Sequence, residues 1–150
     1  MNTTFTNWTH WKDRNRLPDS SSPGVYAIAI SATDISSIPF SWIPEIVYIG
    51  MTNSKGGLTS RLGQFDNTIK GRKGHGGGHR VRYKHQDYST LTPMLYVSVC
   101  AFKCDVVSED PHNLRIMGEV AKYEYECFAL FAEKFGQLPE FNDKKRSPKK

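Results

Sequence analysis

The sequence predicts an α/β domain of the α+β kind, with a small three-stranded, mostly antiparallel sheet flanked by helices. Three observations carry that expectation. Two short β-branched runs, residues 24–30 and 45–50, each hold a tyrosine, and a third run covers 94–103. Two other stretches carry apolar residues at helical spacing, one starting near Leu58 and one covering roughly 112–135. The loop between the first two strands leaves no room for a crossover helix, so their simplest pairing is antiparallel.

At 150 residues the length fits one domain around one core. No apolar run approaches a membrane span, and Met1-Asn2-Thr3-Thr4 does not begin a signal peptide. A cytoplasmic protein with no membrane role is expected. The net charge of +5 suits a polyanionic partner, although the sign alone is a weak signal. Distribution is sharper: Lys70, Arg72, Lys73, Arg80, Arg82 and Lys84 crowd one stretch, and residues 143–150 form a basic tail. Three cysteines, Cys100, Cys104 and Cys127, make an odd count that argues against a disulfide framework. Cys100 and Cys104 with His75 or His79 would be a zinc option, but their spacing is not that of a knuckle or ribbon.

Along the chain, residues 1–22 form an arm whose Trp8 and Trp11 either stack on bases or pin the arm to the core, the commoner use of such tryptophans. The first strand is apolar at nearly every position, as expected when both faces are covered. Residues 31–44 make a serine- and proline-bearing surface connection. Gly50 ends the second strand, and the turn at 52–57 lacks the lysine-serine/threonine signature of a P-loop. In the helix that follows, Leu58, Leu62, Phe65 and Ile69 form one stripe, with Arg61 at its edge. From that edge Arg61 either reaches along the seam between helix and sheet or snorkels to solvent.

Residues 71–80, with five glycines among basic side chains, read as a flexible loop whose amides and cations could grip a phosphate backbone. Asp110 with Pro111 reads as the start of the long helix, and Gly136 as its end. On that helix Met117, Val120, Ala121, Phe128, Phe131 and Phe135 are expected to share a face with Glu124 in its middle; Glu126 points nearly the opposite way. A carboxylate in an apolar stripe needs a cation or an arginine. Glu124 is therefore the first candidate for a functional carboxylate and Glu126 the second.

The ordered set Gly24-Val25-Tyr26, Tyr48-Ile49-Gly50, Arg61, Glu124 and Asn142 resembles the GIY-YIG nuclease family over residues 23–142, with Val25 in place of the first isoleucine. The resemblance implies a catalytic unit at 23–142 and a metal-dependent endonuclease that hydrolyses DNA phosphodiester bonds with one Mg2+ or Mn2+ ion. Tyr26 would be the general base or its relay, and Tyr48 would position water and phosphate. Arg61 would clamp the phosphate and Glu124 would hold the metal. Lys73, His75, His79, Arg80 and Asn142 are expected on the substrate side. Some relatives carry a histidine one turn after the arginine; Phe65 stands there here, and His75 or His79 is open as its substitute. A homodimer or a recruiting protein is a possible partner besides DNA. A non-catalytic nucleic-acid-binding domain on the same fold is the alternative, and a structural protein of a phage or mobile element is a third reading.

Overall fold

A computed structural model describes residues 3–143. The expected α+β fold is present, with one strand more than expected. The sheet has four strands in the order β1-β4-β2-β3, namely β1 (Thr9–His10), β2 (Gly24–Ile30), β3 (Ile46–Thr52) and β4 (Leu95–Ala101). Every pairing is antiparallel. The added strand is only two residues long, too short to show a period of two in the sequence. The arm is held further by Thr6, whose amide donates to the Val99 carbonyl. Trp8 and Trp11 are buried, so they pin the arm to the core. Of the basic tail expected at 143–150, residues 144–150 lie outside the described residues.

Alternation along β2 explains its continuous apolar run. Val25, Ala27 and Ala29 enter one core with Cys100, Val120, Cys127 and Phe131. Tyr26 and Ile28 enter a second core with Leu58, Leu62, Phe65 and Ile69. Sheet faces are thus covered by different helices: α1 (Gly57–Ile69), α2 (Gly76–Lys84) and the short α3 (Tyr88–Leu91) on the tyrosine side, α4 (Pro111–Phe135) on the other. Cys100 and His75 consequently belong to opposite sides of the sheet. Among the described residues there is no group of three His, Cys, Asp or Glu side chains that could hold a metal. All three cysteines are free. No helix of the described residues is long and apolar enough to cross a membrane.

Two local expectations need correction. The glycine-rich stretch is not a flexible loop, because Gly76, Gly77 and Gly78 open α2. Glycines cost about 1 kcal/mol each in a helix, and tertiary packing offsets this. A methyl at Gly77 would overlap the Tyr48 ring, and one at Gly78 would press on Thr68. Only glycine lets α2 lie this close to the sheet. On α4 the buried stripe is Ile116, Val120, Cys127 and Phe131. Ala121 is exposed, and Met117, Phe128 and Phe135 are only half-buried. The inward axis is rotated from the expected one, which leaves Glu124 at the rim of the stripe, half-buried. The ends of α4 are as read: the Asp110 carboxylate accepts from His112 N–H at 2.7 Å, Pro111 is the first helical residue, and Gly136 ends the helix at φ 77°.

A buried carboxylate ties α1 to the arm. Asp66 is 3% exposed and accepts from the Trp11 indole at 2.8 Å and the Tyr88 hydroxyl at 2.7 Å. Arg14 and Lys70 pair with its other oxygen at 3.1 and 2.9 Å. Burial alone would raise this carboxyl; the hydrogen bonds from Trp11, Tyr88 and Lys70, with Arg14's charge, outweigh it and hold the group below the usual carboxylate range.

Candidate active site

The site forms where β2, β3, α1, α2 and α4 meet. Tyr26 and Tyr48 come from paired antiparallel strands, and their rings lie 6.1 Å apart. Tyr26 faces Gly50 across the ladder, and a methyl on Gly50 would overlap the phenol oxygen. The glycine that ends the second tyrosine motif is therefore what admits the first motif's tyrosine. Tyr48 is wedged by Gly77 on one side and packs near Phe65 at 6.2 Å.

His75 occupies the centre. It is buried at 1% exposure, and its Nε2 lies 2.8 Å from the Tyr26 hydroxyl. Its Nδ1 accepts from Gly78 N–H at 3.1 Å, capping α2. Its own amide donates to Thr68 Oγ1 at 3.1 Å, and Thr68 in turn donates to the Gln64 carbonyl. Burial, and then the charges of Arg61 and Arg80, push the imidazole down to about 3. The ring is therefore neutral at ordinary pH. Since Nδ1 is an acceptor, the proton sits on Nε2 and is donated to Tyr26.

Charges surround the two phenols. Burial raises Tyr26 well above its ordinary value and Tyr48 adds to this, while Arg61 opposes both through charge and a hydrogen bond; Glu124 adds a further push upward. Tyr48 is likewise raised by burial, against the pull of Arg80 and Arg61. Glu124 is raised by burial, with Arg61 pulling the other way. Arg61 is thus the shared cation of the cleft, and it is half-buried with one N–H on Gln64 Oε1 at 2.8 Å. The residues brought together are Tyr26, Tyr48, Arg61 and Glu124, with His75 and Arg80. Glu126 is exposed and faces away, which separates the two carboxylate candidates.

The remaining expected residues divide. Arg80 is buried, with Nε fixed on the Phe141 carbonyl at 2.7 Å. His79 is half-buried one turn after the cap, its amide donating to the His75 carbonyl at 2.9 Å. Lys73 is exposed in the turn before α2. Asn142 engages the β3 backbone: its side chain accepts from Ile49 N–H and donates to the Ile49 carbonyl, both at 2.9 Å. It imitates a neighbouring strand at the edge that carries Tyr48. Asn53 acts as a second clamp, donating to the Met117 carbonyl of α4 at 3.0 Å. Thr68 and Asn53 were not singled out from the sequence, because no local pattern marks a hydroxyl or amide whose partners lie on other elements.

The donor set bears on the metal. One half-buried carboxylate, Glu124, faces the cleft with an arginine beside it. That suits a hard cation which keeps most of its water and is completed by a phosphate, as Mg2+ or Mn2+ does. It does not suit zinc, which asks for three or four protein ligands. Scans against family profiles, curated proteins and solved structures return no match.

Proposed function

We propose that the protein is a metal-dependent endonuclease of the GIY-YIG type that hydrolyses DNA phosphodiester bonds. The observation that carries this reading is the convergence of two strand tyrosines, a helix arginine and a helix carboxylate, with a buried, neutral histidine bonded to the first tyrosine. When bound at Glu124, the cation would neutralise charge developing on the phosphate and its leaving oxygen. Arg61 clamps the phosphate, and Arg80 adds a second fixed positive charge beside Tyr48. The hydrogen bond that His75 donates to Tyr26 Oη stabilises the phenolate, the form that takes a proton from the attacking water. The phenol's own proton first passes to a solvent water in the cleft and not to His75, whose Nε2 is already protonated. Tyr48 helps to position the water and the phosphate.

The test is digestion of supercoiled plasmid, linear duplex, single-stranded and branched DNA with Mg2+. Cleavage of at least one substrate is expected, with Arg61→Ala reducing the rate by about 10²-fold or more, the cost of losing one preorganised charge. Binding to every substrate with cleavage of none would instead support a non-catalytic domain.

His75 gives a further prediction. Gln keeps an N–H donor near the Nε2 position but cannot accept and pass a proton. His75→Gln is expected within roughly tenfold of the parent rate, while His75→Ala falls by about 10²-fold. Equal losses in both would mean that the imidazole works as a proton acceptor.

A further inference from the structure

Helix α4 is apolar on two sides. Its inner stripe is buried against the sheet. On the far side Leu114 is 50% and Tyr125 72% exposed. At 100° per residue these two align with Ala121 and Ala129, which are exposed as well. Phe128 borders the stripe, edge-on to Tyr125 at 5.8 Å. A solvated helix face normally carries charge. Here five exposed charges of the helix lie together on one flank of the stripe, Arg115, Glu119, Lys122, Glu126 and Glu133, while Lys134 lies on another side and donates to the Trp42 carbonyl. None of the five joins a salt bridge among the described residues.

We propose that this face binds the same face of a second copy of the chain, with the two α4 helices antiparallel about a two-fold axis at position 124. The charge order selects that partner and that direction. Antiparallel pairing brings like flanks together, and a centre at 124 sets Arg115 opposite the partner's Glu133 and Lys122 opposite the partner's Glu126. Symmetry repeats both pairs, and Glu119 meets the partner's Ala129. Parallel pairing about a two-fold axis would put the charged flanks on opposite sides of the seam, so neither opposite-charge pair could form. In the antiparallel register Tyr125 drops between the partner's Ala121 and the partner's Tyr125, so the large exposed ring meets a small residue. Isologous contact of this sort closes at two copies. It also gives Glu126 a place outside the cleft.

Glu124 lies on the flank opposite the charges, and like flanks meet, so both Glu124 flanks would face one side of the dimer. One duplex could then present its two strands to two sites. That consequence rests on the proposed nuclease function, whereas the pairing does not.

Light scattering and sedimentation of the full chain at tens of micromolar test the pairing without reference to cleavage. The expected mass is twice the 17.0 kDa of the chain. Lys122→Glu and Glu126→Lys, both surface changes, are each expected to be monomeric with parental circular dichroism and melting. Mixing those two variants restores the doubled mass, as does the Lys122→Glu/Glu126→Lys double swap. Tyr125→Glu is monomeric. A wild-type monomer at every concentration, or a dimer indifferent to both reversals and to Tyr125→Glu, overturns the proposal.

Discussion

Glu124→Gln is expected to abolish metal-dependent cleavage, with a loss of about 10³-fold or more, equivalent to roughly 4 kcal/mol of barrier. The substitution keeps the shape, exchanges one acceptor oxygen for an amide donor and removes the charge. No second carboxylate compensates, since Glu126 is exposed on another side of the helix. The melting temperature should be unchanged or higher. Burial raises Glu124 more than Arg61 lowers it, so the fold carries this charge at a cost, a common feature of functional sites. A large drop in stability with activity retained would assign Glu124 to the scaffold. Glu126→Gln is the control, and it should cleave at the parental rate.

The largest stability effect is expected at Asp66. Asp66→Ala removes the carboxylate shared by Trp11, Tyr88, Arg14 and Lys70 and leaves a buried indole N–H unpaired. Breaking a buried pair from one side costs about 3–5 kcal/mol, and at this chain length the melting temperature should fall by roughly 10 °C. The pH dependence has a defined sign. A carboxyl held below its unfolded value stabilises the fold above that value and loses the contribution as pH falls through the folded one. Measured against Asp66→Asn, the wild-type advantage should be full at pH 6 and shrink only below about pH 4. An advantage that grows as the solution is acidified would reverse the assignment.

Much of the fold was legible because it is local. The β2 run, the α1 stripe and the Asp110–Pro111 and Gly136 signals of α4 all name their own element. Antiparallel pairing followed from a loop too short for a crossover. What escaped depends on contacts between distant segments. The glycines of α2 look like loop residues by propensity; they are helical because the Tyr48 ring and Thr68 leave no space for a side chain. Strand β1 has too few residues to show alternation. Glu124 could be preferred over Glu126 from helical phase, yet the phase itself was off, since Cys127 and Ile116 define the inward face and Ala121 does not. His75 was visible only as one of two open candidates, because its meeting with Tyr26 spans 49 positions of chain.

The most direct measurement is the position of Mn2+ in crystals grown with an uncleavable phosphorothioate duplex, located by anomalous scattering. A single peak bonded to the Glu124 carboxylate, with a phosphate between Tyr26, Tyr48 and Arg61, is the expected result. A metal bound away from Glu124, or a phosphate that avoids both tyrosines, would contradict the reading of this cleft as the cutting site.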